Sequence, residues 1–100
     1  MAEGLTIEEL RSRIDVIDDQ LVRLLNVRVA CAVEVGRLKH EIGLAVYQPD
    51  REAQVLAAVR KAATDLAGPL TAEAVVRIFE RIIDEARRAE RQESDRRHGV

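Results

Sequence analysis

Residues 6–43 read TIEELRSRIDVIDDQLVRLLNVRVACAVEVGRLKHEIG, and apolar positions recur through that stretch at steps of three and four. Ile7, Leu10, Ile14, Ile17, Leu21, Leu24, Cys31, Val35, Leu38 and Ile42 form one stripe, with Arg28 as its single charged member. This is the heptad spacing of a helix packed lengthwise on another helix. Thr6 followed three residues later by Glu9 is a capping-box pattern, which starts the helix. Gly43 is a natural stop. Gly36 sits inside the helical register, where glycine costs about 1 kcal/mol against alanine, so it predicts a close packing contact. The expected helix covers about 6–42 and is about 55 Å long at 1.5 Å per residue. A compact chain of 100 residues has a radius of gyration of only about 13 Å.

Two shorter helices follow. Gln48-Pro49-Asp50 opens the second, because proline fits the first helical turn, where its missing N–H is not needed. That helix is expected over about 49–65. Leu66-Ala67-Gly68-Pro69-Leu70 reads as a turn, and Thr71 caps a third helix over about 71–92. The polar tail, about 93–100, is expected to fray. No strand pattern lies between these segments. The fold class is therefore all-α, with three helices in a single domain over 1–100. The two short helices cannot cover so long an apolar seam from within one chain. A partner copy is the simplest cover, and a two-fold homodimer is the commonest form.

Composition excludes several classes of function. Hydrophobic residues make up 47% and charged residues 34%, a balance that supports a folded core rather than disorder. The net charge is −2 and the aromatic residues are Tyr47 and Phe79 alone, so neither a basic face nor a stacking platform is offered to nucleic acid. No apolar run approaches a membrane span, and the acidic N-terminal stretch has no apolar signal-peptide core. The expectation is a soluble cytoplasmic protein. Cys31 is the single cysteine and is expected as a small core residue. His40 and His98 lack Cys or His partners at ligand spacing, so no metal is expected.

Arg28 is the anomaly. A guanidinium buried in an apolar seam is costly unless it meets an anion, either a carboxylate of one of the two chains or a ligand. Lys39 follows eleven residues later, about three full turns on, so the two cations share a face with their Cα atoms about 16 Å apart. Together they are spaced to bracket a small dianion. Arg11 precedes Arg28 by seventeen residues, about 25 Å along the helix. It reaches the same anion only from a second chain, in an antiparallel pair of first helices. Arg51 and Glu52, just inside the second helix, are placed either to close the pocket or to lie solvated as a surface pair. Glu90 continues the third-helix seam of Val76, Phe79, Ile83 and Ala86. It either marks the solvated end of that seam or faces the pocket.

The ordered set Leu10 to Leu21, Arg28 to Lys39, Tyr47 to Glu52 and Ile78 to Ile83 resembles the all-helical (AroQ-type) chorismate mutases over nearly the whole chain. The resemblance implies an intertwined homodimer with two shared sites, in which chorismate is rearranged to prephenate in phenylalanine and tyrosine biosynthesis. It implies that Arg11 of the partner chain and Arg28 each bind a substrate carboxylate. Lys39 would donate to the ether oxygen, Arg51 would shape the pocket, and Glu52 would accept from the ring hydroxyl. Glu90 matches a Gln or Glu that donates to the ether oxygen. Lys39, Glu90 and Arg28 are thus the implied catalytic groups, Gln48 a further substrate contact, and Val35, Val55, Ile83 and Ala86 the pocket lining.

Such a pericyclic step uses no nucleophile, metal or cofactor. What helps is holding a flexible dianion in its reactive shape and placing donors where charge builds on the ether oxygen. Glu90 donates only when protonated, so activity is expected to fall as pH rises through its pKa. Some residues depart from the family pattern. Gln48 stands where many members have Asp, Ala86 stands where Ser is common, and Arg87 and Arg88 bring extra charge toward the pocket mouth. Relatives of this fold act on 4-amino-4-deoxychorismate or cleave isochorismate, and these remain alternatives. A non-catalytic helical module that docks on and regulates another shikimate-pathway enzyme is a third.

Overall fold

The computed structural model describes residues 4–45 and 48–99. Three helices account for nearly all of them: α1 (Ile7–Glu41), α2 (Pro49–Leu66) and α3 (Ala72–Arg97). Tyr47, part of the family-like motif, and Val100, at the end of the expected tail, lie outside the described residues.

The start of α1 is the capping box read from the sequence. Thr6 Oγ1 accepts from the Glu9 N–H at 3.0 Å, and Glu9 Oε1 accepts from the Thr6 N–H at 3.4 Å. Both acceptors serve the helix start, where backbone donors lack intrahelical partners, and two acids in the first turn favour the positive end of the dipole. At the other end Gly43 takes φ +77°, which lets the Leu44 N–H turn back to the Lys39 carbonyl at 2.8 Å. Helix α2 opens on Pro49 and ends at Ala67, which takes the left-handed conformation (φ 53°, ψ 38°) although Gly68 is its neighbour. Thr71 Oγ1 accepts from the Ala74 N–H at 3.0 Å and starts α3.

The third helix differs from expectation. It does not stop near Gln92 but continues through Arg97, with His98 as its C-cap. The polar stretch that reads as a tail is held in helix by local charge. Glu93 pairs with Arg96 at 3.1 Å, and Arg96 and Arg97 sit in the last turn, where cations suit the negative end of the dipole. The His98 ring also lies 4.8 Å from the His40 ring of α1, between centroids.

Helix α3 packs against both α1 and α2, which do not pack against each other. The molecule measures 61 × 28 × 16 Å with a radius of gyration of 17.7 Å, well above the value of about 13 Å for a compact chain of this length. Only the second half of α1 is covered. Every residue from Ile7 to Val27 is exposed, and Leu10, Ile14, Ile17, Leu21 and Leu24 keep 45% to 65% of their surface. Ala86, at 4%, is the one buried residue among those described. Burying a Leu or Ile side chain contributes about 1.5–3 kcal/mol, so most of the apolar stripe on α1 is stabilisation that this chain does not collect by itself.

Candidate active site

The second half of α1, the first turns of α2 and the middle of α3 converge on a cavity of about 300 Å³. Helix α1 contributes Arg28, Cys31, Ala32, Val35 and Lys39. Gln48 and the α2 residues Arg51, Glu52 and Val55 form a second wall, and Ile83, Ala86, Arg87 and Glu90 of α3 form the third. The helical register explains the grouping. Positions 28, 32, 35 and 39 follow steps of four, three and four, and 83, 86 and 90 follow three and four, so each set lies on one face.

Arg28 is half-buried, and its guanidinium sits over the Phe79 ring, 5.8 Å from the centroid. Among the described residues it forms no ion pair with a carboxylate, so the intrachain salt bridge that its burial could have implied is not what holds it. The ring supports the cation from one side, and the arginine lines the cavity.

Glu90 is half-buried and reaches across to α1. A Cβ built on Gly36 would lie 3.1 Å from Glu90 Oε2, so the close contact predicted for this glycine is with the Glu90 carboxyl. Burial pushes the Glu90 carboxyl above the usual range. The cations Lys39 and Arg87 oppose that rise, and Glu52 adds to it. Glu90 is therefore a cavity-facing acid and not merely the solvated end of a seam.

Glu52 does not pair with its neighbour Arg51. It is held by Arg87, thirty-five residues away on α3: Arg87 Nε donates to Glu52 Oε2 at 3.0 Å and Nη2 donates to Oε1. Arg87 Nη1 also donates to Asp84 Oδ1 at 3.2 Å. The sequence marks Arg87 only as extra charge near the pocket mouth, and this bidentate link between helices carries no sequence signal. Arg88 is exposed and lies off the cavity. Cys31 is also misplaced by sequence reasoning. It is exposed in the chain and lines the cavity, one turn from Arg28 on the same face.

Of the candidate site residues, Arg28, Val35, Lys39, Gln48, Arg51, Glu52, Val55, Ile83, Ala86 and Glu90 all border this one cavity. Arg11 does not. It lies on the exposed half of α1, away from the cavity of its own chain.

The sequence profile of the chorismate mutase type II family matches residues 10–91, a span that contains every one of these residues. The chain belongs to that family. It is 42% identical over 91 residues to the bifunctional chorismate mutase/prephenate dehydratase of Neisseria gonorrhoeae, covering 86% of this chain and 24% of that protein. It is 33% identical over 78 residues to the protein of the same description from Aquifex aeolicus, covering 77% and 22%. The chain thus spans about a quarter of the length of these curated relatives. Among solved structures, the chorismate mutase of Thermus thermophilus (form II) superposes with a TM-score of 0.78 at 32% identity, covering 85% of this chain and 93% of that one. The three-helix arrangement is therefore that of the chorismate mutase fold. No described helix is long and apolar enough to cross a membrane.

Proposed function

We propose that this protein rearranges chorismate to prephenate, and that it does so as a homodimer with two shared active sites. The observation that carries the reading is the cavity itself. Arg28 and Lys39 from one helix and Arg51 from another surround it, opposite an acid, Glu90, that burial keeps toward its protonated form. Cations on two sides suit a dicarboxylate. A carboxyl shifted toward its protonated, donating form beside a lysine suits an ether oxygen that gains negative charge as its C–O bond breaks.

Arg28 binds one carboxylate and holds it against the seam, steadied by Phe79 beneath it. Arg11 of the partner chain binds the other, because the exposed half of α1 is the part that an antiparallel partner would cover. Lys39 and protonated Glu90 donate to the ether oxygen. They act mainly in the transition state, where the charge is greatest, so they raise turnover rather than only affinity. Glu52 accepts from the ring hydroxyl, Gln48 and Arg51 border that end, and Val35, Val55, Ile83 and Ala86 exclude water and press the substrate into its compact form.

Intertwining of the two chains is supported by the bare stripe from Ile7 to Leu24. A covering copy would bury apolar surface that the chain leaves in water.

The test is consumption of chorismate by the wild type and by Arg28→Ala. The wild type should convert chorismate to prephenate. Arg28→Ala should lose about a hundredfold or more in kcat/KM, as expected when one partner of a desolvated charge pair is removed. A wild type that leaves chorismate unchanged, or an Arg28→Ala variant of unaltered rate, would contradict the reading.

A further inference from the structure

We propose that Arg87 is a specificity-determining positioning residue, which clamps Glu52 so that the α2 side of the cavity selects a neutral ring hydroxyl and rejects an ammonium at the same position. The inference rests on the mutase reading above, in which Glu52 meets that ring substituent.

Two hydrogen bonds form the clamp. Arg87 engages both oxygens of Glu52, through Nε to Oε2 at 3.0 Å and through Nη2 to Oε1, and is itself steadied by Asp84 at 3.2 Å. The link joins two helices, so it fixes the direction of the Glu52 carboxylate relative to α3. A carboxylate offers about four lone-pair sites, and a fork of this kind uses two. The remaining lone pairs still accept from a hydroxyl.

The charge of the wall changes more than its hydrogen bonding. Free Glu52 would be an anion facing the substrate, and an anion there would favour an amino analogue, which arrives as an ammonium. Clamped by Arg87, the carboxylate is neutralised. Gln48 beside it is uncharged, and Arg51 adds a further cation. With Asp84 also bonded to Arg87, two guanidiniums face two carboxylates and the group carries little net charge. A hydroxyl still donates to a free lone pair of Glu52, whereas an ammonium finds that carboxylate already compensated by Arg87 and meets the Arg51 cation beside it. Discrimination then comes from withholding a counter-ion from the wrong substrate as well as from attraction of the right one. A purely structural ion pair between α2 and α3 would affect both substrates equally.

The experiment compares kcat/KM for chorismate and for 4-amino-4-deoxychorismate in the wild type, Arg87→Met and Arg87→Lys. The wild type should prefer chorismate. Arg87→Met should move the ratio about tenfold or more toward the amino compound, the scale of a single misplaced polar contact. Arg87→Lys, which keeps the charge but not the fork, should fall between. An unmoved ratio in an active Arg87→Met enzyme overturns the inference, as does a wild type that prefers the amino compound. A wild type that turns over neither compound contradicts the mutase reading instead. The clamp is then judged in the free protein by nitrogen-15 NMR of the Arg87 Nε–H. The fork to Glu52 should slow exchange of that proton relative to Glu52→Ala, and equal exchange in the two proteins overturns the clamp.

Discussion

At Glu90 three helices act on one carboxyl group. Gly36 of α1 gives it room, Ala86 and Ile83 continue its face on α3, and Glu52 of α2 lies near enough to raise its pKa. Burial raises that pKa most, so the protonated form persists above the usual carboxylate range. If that form is the donor to the ether oxygen, turnover is at its plateau below the raised pKa and falls as pH rises through it. Glu90→Gln donates at every pH, so its profile should be flat across the range where the wild type falls. A variant that keeps the same descending limb would assign the limb to another group. The shift has the same sign for folding, since a raised native pKa stabilises the folded chain at low pH and this is lost as pH rises through the native value. Gly36→Ala tests the space beside Glu90. The substitution offers about 1 kcal/mol of helix propensity, yet its methyl would meet Oε2 at 3.1 Å and push the carboxyl aside. Thermal unfolding should show little loss of stability while kcat falls; an unchanged kcat would contradict a role for this contact in aligning Glu90. Much of this site is legible in the sequence. Seam spacing places Glu90 and Arg28, and a glycine inside a helix announces a contact. The Arg87–Glu52 fork is not legible, because no periodicity links residues thirty-five apart on different helices.

Helix ends are more legible than helix lengths. Thr6, Glu9, Gly43 and Thr71 each carry a local signal, a side-chain acceptor or a residue that tolerates positive φ, and each performs that task. The extension of α3 to Arg97 has no such signal. Residues 93–97 contain no apolar position for a periodic pattern to register, and the Glu93–Arg96 ion pair at one-turn spacing, with the Ser94–His98 hydrogen bond, contributes order instead. The end of α2 shows a compromise: Ala67 adopts the left-handed conformation that glycine takes without penalty. Ala67→Gly should relieve that strain, partly offset by the entropy gained in the unfolded chain, for a net gain of about 0.5–1 kcal/mol. Urea unfolding checks this, and a loss of stability would mean that the Ala67 methyl makes a contact worth more than the strain.

On the scale of the whole molecule, the heptad stripe on α1 is the most informative feature of the sequence. It sets the length of the helix, and the structure leaves the first half of that stripe uncovered, with an extent of 61 Å. A single buried alanine among the described residues is too small a core to offset the conformational entropy of folding 100 residues. In the proposed dimer, stability and catalysis would share one condition, each site taking Arg28 from one chain and Arg11 from the other. Subunit complementation tests this directly. Arg11→Ala and Arg28→Ala are each prepared, confirmed to be nearly inactive, unfolded, mixed in equal amounts and refolded together. Half of the dimers then carry one chain of each kind, and in each of these one of the two sites has both arginines intact. Shared sites predict recovery of about a quarter of the wild-type rate. A mixture no more active than its components would contradict them, by placing both arginines' functions within a single chain.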